Sequence, residues 1–419
     1  MQKNISRIKK IINEQTLLVT VDIGKFKNTG YLRCPDGTEV KPFEFGNNFA
    51  GFDQFYQTIM WMKNRNHLKS IVIGVESTGS YAQPLLHYLK PKQVNLVQVN
   101  TFHTKRVKEV YDNSPGKTDH KDPQVMADII ELGRFLTVVI PTGVAAKLRE
   151  LIHNREAYLH DMMTLLNRLN SQMYRIFPEF EQVMKNLKTQ TSRHLLRHYT
   201  NPEALLELGL DQLTEVLKKQ SRGKIGRERA SQLHEAAKQS VGVKEGSDVT
   251  LRNIHDILKQ IDLLQSLIDD CESTISVELK HIPYSRSILR IKGVGVITTA
   301  GLIGEIADFD QFRTIAEVEK YAGLNLFEIS SGKHTGQKRI SKRGRHLLRK
   351  LLYFACLNMI RKGGIFHEKY QGMIERGMPG PKALVVISRK LLRIIFAMVR
   401  DHREFNLEYM KAGSLQKAA

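Results

Sequence analysis

The sequence predicts an α/β region followed by a helical remainder, and three observations carry that prediction. Short apolar runs at 17–23, 71–76 and 94–100 read as buried strands with helical stretches between them. From about residue 146 the apolar spacing changes to alternating steps of four and three, the signature of long helices packed along a seam. From 283 onward, shorter apolar helices are broken by glycine.

LLVTVDI (17–23) is the first strand, and YLRCP and VKPFEF are its hairpin partners. Residues 52–66 read as a helix, IVIGVE (71–76) as a second buried strand, YAQPLLHYL as a short helix and VNLVQVN (94–100) as a third strand. A further helix spans roughly Gln124 to Leu132. Strands and helices in this order fit a mixed sheet covered by helices, over residues 1–145. In 146–282, one seam runs Leu148, Ile152, Leu159, Met162, Leu166, Leu169, Met173, Ile176, with Arg155 as its interruption. A second runs Ile254, Ile257, Ile261, Leu264, Ile268, Cys271, Ile275. These heptad patterns fit an antiparallel coiled-coil hairpin, a dimer arm, or ordinary helical core. Between them, 181–250 is polar and basic, with SRGKIGRERA (221–230) reading as flexible, and it is expected to form only weak helices. In 283–419, ILRIKGVGVITTAGLIGEI (288–306) reads as a helix–hairpin–helix, or as a plain glycine-containing connection. In the first case Lys292 and the backbone N–H groups around Gly293 and Gly295 face a nucleic-acid phosphate. Residues 339–362 and 381–400 read as further helices.

Composition narrows the partner. Lys and Arg outnumber Asp and Glu by 64 to 43, a formal charge of +21, which points to a polyanion such as DNA, RNA or an anionic surface. Cys34, Cys271 and Cys356 are far apart, which argues against a disulfide framework or a structural zinc site. MQKNISRIKKIINEQ lacks the apolar core of a signal peptide, and ALVVISRKLLRIIFAMV is interrupted by Arg389, Lys390 and Arg393. The expectation is a cytoplasmic protein, associated with the nucleoid when acting, with no membrane contact.

Against this basic background the acids in GKTDHKD (116–122) stand out. Asp22 closes the first apolar strand and Glu76 the second; Asp119 and Asp122 lie three apart, on one face if helical. Four converging carboxylates repel one another, and a hard cation such as Mg²⁺ relieves that while leaving coordination sites for phosphate oxygens. Such a site suits phosphoryl transfer, with Lys117 balancing charge or touching phosphate. The plainer alternatives are turn residues for Asp22 and Glu76, and a helix cap for Asp122 before Pro123.

The second informative segment is YAGLNLFEISSGKHTGQKRISKRGRHLLRK (321–350). From Lys333 to Lys350 it carries eight Lys or Arg residues and no acid, which reads as a phosphate-facing surface. Its candidate contacts are Lys333, Lys338, Arg339, Lys342, Arg343, Arg345 and Arg349. The Ser330-Ser331-Gly332 loop is either a plain loop or the seat of a serine that attacks a phosphodiester, activated by a base or metal.

VDIGK (21–25), GVESTGSY (74–81), VNTFHTKRVKE (98–109) and KTDHKD (117–122) resemble the RuvC-like, ribonuclease-H-like domain of the DEDD transposases of the insertion-sequence one-ten family, also called bridge-RNA recombinases. Pro123 and Thr101 depart from that family's usual residues. The segment around Gly323, Ser331, Gly332, Ile340, Ser341, Lys342, Gly344 and Arg349 resembles the family's C-terminal transposase domain. The resemblance implies metal-binding acids at Asp22, Glu76, Asp119 and Asp122 and a nucleophile at Ser331, with Ser330 adjacent. It further implies a transient phosphoserine link to donor or target double-stranded DNA, a structured non-coding guide RNA, and a homodimer or tetramer. A metal-only nuclease using water, or a non-catalytic nucleic-acid-binding protein, are the alternatives.

Overall fold

Strands that are buried on both faces read as continuous apolar runs, and β1 (Thr16–Asp22) and β4 (Ser70–Glu76) owe their sequences to this. In the computed structural model, which describes residues 11–76, 79–112, 121–328 and 338–405, they pair in parallel at the middle of a six-stranded sheet. Between them in the chain lie β2 (Lys27–Arg33), β3 (Glu39–Gly46) and helix α1 (Phe49–Arg65). α2 (Gln83–Leu89), β5 (Asn95–Val99), α3 (Thr101–Asp112), α4 (Lys121–Glu131) and β6 (Leu136–Thr137) follow β4. The strand order is β3-β2-β1-β4-β5-β6. β1–β4 and β4–β5 are parallel; the other three pairings are antiparallel, so the sheet is mixed.

Side chains alternate between the two faces of a strand. Leu17, Val19, Val21, Ile71, Ile73 and Val75 share one face with Phe52, Phe55 and Ile59 of α1. Leu18, Val72, Val97 and Val99 share the other with Val125, Met126, Ile129 and Ile130 of α4. Helix α4 approaches β4 so closely that a Cβ on Gly74 would collide with Ile130 Cδ1. A side chain at this position would force the Ile130 tip to shift, a packing constraint rather than one of backbone angle.

The chain divides into two compact units, Met1–Ala146 with Arg286–Ala419, and Lys147–Ser285. In the second, α5 (Gly143–Ile176) and a later helix, Ser247–Glu278, run antiparallel. Contacts of Arg168 with Asn253 (3.2 Å) and Arg155 with Glu272 (2.7 Å) fix the direction. Arg155, the break in the apolar seam, is thus placed by a carboxylate on the facing helix. The intervening segment is not weakly structured. It folds as five helices, Phe180–Val183, Gln190–His198, Pro202–Leu208, Leu210–Ser221 and Arg227–Lys238. Leu195, Leu205, Leu213, Leu217 and Leu233 from these pack into one core with Leu169, Met173, Ile254 and Ile257. Each helix is short and offers one narrow apolar stripe, so the segment's average composition conceals its core.

In the C-terminal part of the first unit, two helices (Ser285–Leu289 and Val296–Ile306) flank the Lys292–Gly295 turn. The expected helix over 339–362 begins only at His346 and runs to Met359. Arg339–Ile340 instead pairs with Leu326–Phe327 as a two-stranded ribbon. The final long helix, Gly380–Arg400, buries Leu384, Ile387, Leu391 and Ile395, and its Arg389 and Arg393 clasp the buried Glu319 at 2.7 and 2.6 Å. No described helix is long and apolar enough to cross a membrane.

Candidate active site and nucleic-acid interface

Strand register places the first two acids. Val21 pairs with Val75 across the parallel β1–β4 ladder, so Asp22 and Glu76 are the next residues on neighbouring strands. Adjacent strands lie roughly 4.8 Å apart, and in-register residues of parallel strands share a face. Asp22 has the parity of Leu18, and Glu76 that of Val72, so both belong to the face covered by α4. Glu76 is buried and Asp22 half-buried.

Helix α4 supplies the third acid. Thr20, two residues before Asp22, donates its hydroxyl to the carbonyl of Pro123 at 2.6 Å. That bond ties the first turn of α4 to this face, and the Gly74–Ile130 contact seats its last turn. Helical structure is already present at Lys121, so the buried Asp122 lies inside the first turn rather than ahead of it. Asp22, Glu76 and Asp122 are all hard oxygen donors, the type Mg²⁺ takes. Among the described residues, however, no three ligating side chains are close enough to hold an ion. Asp119 and Lys117 lie outside the described residues.

The glycine turn and the basic segment lie in the C-terminal part of this unit. Gly293 has φ +103, and a Cβ there would come within 2.7 Å of Met359 Cγ. Gly295 begins the helix Val296–Ile306 and has open space around it, and Lys292 is exposed. The basic segment is fastened at its base. Ser341, Lys342 and Arg345 donate their backbone N–H groups to the carbonyls of Asn325, Gly323 and Tyr321 at 2.9, 3.0 and 2.9 Å. Lys342 takes a left-handed backbone, φ +54, uncommon for a side-chain-bearing residue.

The cations divide into two groups. Arg345 pairs with the buried Glu305 at 2.6 Å; burial opposes its charge, but neighbouring Tyr321 and Glu305 outweigh this and raise its pKa. Arg349 donates to the carbonyls of Ala322 and Gly344 at 2.9 and 3.0 Å, and burial lowers its pKa. These two therefore hold the segment together. Lys338, Arg339, Lys342 and Arg343 are exposed. Lys338 lies 3.8 Å from Glu328, and the Arg343 guanidinium lies 3.7 Å from the ring centre of Phe102 on α3. Ser330, Ser331, Gly332 and Lys333 lie outside the described residues. Sequence alone does not single out His103, Arg106, Arg134 or Lys320, which surround the Phe102–Arg343 contact. The cationic run KRVK in α3 is the available signal.

Residues 19–178 match a DEDD family model of IS110 type described as "Transposase". Residues 285–371 match a model described as "Transposase IS116/IS110/IS902 family". Together the two span more than half of the chain. The chain is 24% identical over 388 residues to the insertion element IS116 uncharacterized 44.8 kDa protein of Streptomyces clavuligerus, covering 92% of this chain and 95% of that protein. It is 21% identical to the insertion element IS110 uncharacterized 43.6 kDa protein of Streptomyces coelicolor, over 91% of this chain and 93% of that one. It is also 27% identical to the pilin gene-inverting protein of Moraxella bovis, over 40% of this chain and 51% of that one.

Proposed function

The chain belongs to the IS116/IS110/IS902 family of transposases, and from that premise we propose that it cuts and rejoins DNA strands through a metal-dependent site and a serine nucleophile. What supports this reading is that Asp22 and Glu76 follow register partners on neighbouring strands and that α4, which carries Asp122, is bonded to the same sheet face through Thr20. Asp119, three residues before Asp122, is the fourth acid. These four carboxylates would hold Mg²⁺, which when bound stabilises charge on the attacking and leaving oxygens of phosphoryl transfer. The framework is that of a RuvC-like, ribonuclease-H-like domain.

Ser331 is the nucleophile. Its Oγ forms a bond to the scissile phosphorus as the bond to the leaving sugar oxygen breaks, and the serine proton ends on that oxygen. A strand hydroxyl then attacks the phosphoserine, restoring the serine and a DNA phosphodiester. One ester bond replaces another at each step, so no ATP is consumed. Lys117, Lys333, Lys338, Arg339, Lys342 and Arg343 balance phosphate charge. The Lys292–Gly295 turn acts as a helix–hairpin–helix contact to a backbone phosphate. A relative named for inverting a gene supports DNA rearrangement as the outcome.

The finer assignments follow from the family. The domains are 1–145, 146–282 and 283–419, and the protein acts as a dimer or tetramer. A structured non-coding guide RNA selects donor and target duplexes by base pairing. The site of action is the cytoplasm, at the nucleoid.

The test is a denaturing gel of the protein with Mg²⁺, RNA transcribed from its flanking DNA, and labelled donor and target. A protein–DNA adduct that disappears in Ser331→Ala and in Asp119→Ala is the expected result. Cutting without an adduct, unchanged by Ser331→Ala, would replace the serine mechanism with a water-using nuclease.

A further inference from the structure

A cavity of about 410 Å³ opens beside the end of β5, within the first compact unit. Asn100, His103, Arg134, Lys320, Asn325 and Arg343 line it, over apolar walls from Leu136 and Phe327. No carboxylate belongs to this lining among the described residues.

The polar lining is almost wholly made of donors. Asn100 Oδ1 accepts the Phe102 N–H at 2.9 Å, capping the twelve-residue helix α3. Asn325 Oδ1 accepts the Ser341 hydroxyl at 2.6 Å. Both amide oxygens are thereby committed, and the N–H₂ ends are what the two asparagines offer. Arg134, Lys320 and Arg343 add charge, and the N-terminus of α3 adds its partial positive charge. The cations are also crowded. Arg106 and Arg343 lie 4.4 and 3.7 Å from the centre of one ring, Phe102. His103 is held below the ordinary imidazole range by burial, then by Arg343, Lys320, Arg134 and Arg106. Like charges gathered in this way are relieved by an anion.

Position identifies the anion. Asn100 directly follows Val99, and Val99 is the register partner of Glu76 on β4. Across the cavity, Phe327 belongs to the two-stranded ribbon, and Asn325, Ser341 and Arg343 lie beside its ends in the chain. Arg134, Lys320, Phe327 and Arg343 are exposed, so a strand can enter without an opening motion. We propose that this cavity seats one backbone phosphate of the DNA strand being processed, with its sugar against Phe327 and Leu136, as a positioning site next to the chemistry. The proposal rests on the reading that the protein acts on DNA, and it is independent of which group is the nucleophile.

The test uses the full chain without Mg²⁺ and reads binding alone, so that it can fail while strand transfer succeeds, or the reverse. Affinity for a labelled duplex DNA is followed by anisotropy across a salt series, for wild type, Arg134→Gln, Lys320→Gln and the double variant. Each single variant is expected to weaken binding by about tenfold and to lower the slope of log K against log salt by about 0.9, the value for one phosphate. The double variant is expected to lose little more slope, because both cations serve the same phosphate. Unchanged affinity in both single variants, or slope losses that simply add, would overturn the pocket. A single-stranded RNA losing affinity while the duplex DNA loses none would overturn DNA as its ligand. Lysine acylation footprinting of the unmutated protein gives a reading that no folding defect can mimic: Lys320 is expected to be protected by duplex DNA, and an unprotected Lys320 refutes the proposal.

Discussion

The carboxylate edge of the sheet and the basic segment of the C-terminal part are built on opposite plans. At the sheet edge, the acids are set by backbone register in the best-buried part of the fold. Asp22 and Glu76 follow paired residues on central strands, and Asp122 rides on a helix seated by Gly74 and Thr20. In the basic segment the ribbon is only two residues long on each strand, and a few backbone bonds at its base are supplemented by side chains. Arg345 on Glu305, and Arg349 on two carbonyls, lock the base, while Lys338, Arg339, Lys342 and Arg343 remain exposed. The difference teaches that Asp22, Glu76 and Asp122 are positioned by rigid elements whose own packing does not depend on them. The exposed cations are instead carried outside a clasp made from cations of the same run.

If that contrast is right, breaking the clasp has the largest effect. Arg345→Ala removes one partner of Glu305, which is 1% exposed, and is expected to cost about 1–3 kcal/mol of unfolding free energy. Denaturant unfolding measures it. The control is Arg339→Ala, at an exposed position of the same basic run, which is expected to stay within about 0.5 kcal/mol of wild type. An equal loss for both variants would erase the distinction between fastening and exposed arginines.

The sheet edge is tested next, by overpacking. Gly74→Ala drives a methyl into Ile130 and is expected to cost about 1–3 kcal/mol. Adding Ile130→Val should recover part of that loss, and a failure to recover any would mean that α4 is not seated through this contact. Because α4 carries Asp122, strand cutting should fall in Gly74→Ala more than stability alone accounts for.

Gly293→Ala has a smaller expected effect. It forces a side chain into a left-handed backbone against Met359, at a cost of about 1–2 kcal/mol. Gly295→Ala, in open space and at φ −93, should be close to neutral for stability. The pair of thermal unfolding curves therefore separates the glycine the fold requires from the one in open space.

The smallest expected effect is a pH dependence. Burial alone would raise the pKa of Glu319, but its bonds to Arg393 and Arg389 outweigh this and lower it. A carboxylate whose folded pKa is depressed contributes stability that is fully present above its unfolded value of about 4.3 and is lost as pH falls through the folded value. Glu319→Gln should therefore narrow the stability difference between neutral and acidic pH, as read by unfolding at both.

Much of the sheet was legible in sequence because period and burial speak directly. The runs LLVTVDI and SIVIGVE are apolar at both parities, and only a strand covered on two faces asks for that. Asp22 and Glu76 could be placed in the fold for the same reason, since each closes such a strand. The 181–250 segment was not legible, because its core is assembled from one to three apolar residues on each of several short helices, with no local period long enough to read. The start of the helix at His346 was also hidden: 339–345 has helix-compatible residues, yet pairing with Leu326–Phe327 and the bonds to Gly323 and Tyr321 win.

What the sequence determined by itself is therefore local and periodic: central strands, long seams, acids at strand ends, and a basic run. What only the tertiary structure decided is which of those residues meet. That Arg345 belongs to Glu305, forty residues earlier, and that Arg343, His103, Arg134 and Lys320 surround one cavity, depends on packing between distant segments. Such pairings are set by the shape of the whole core, and no stretch of chain short enough to have a pattern contains them.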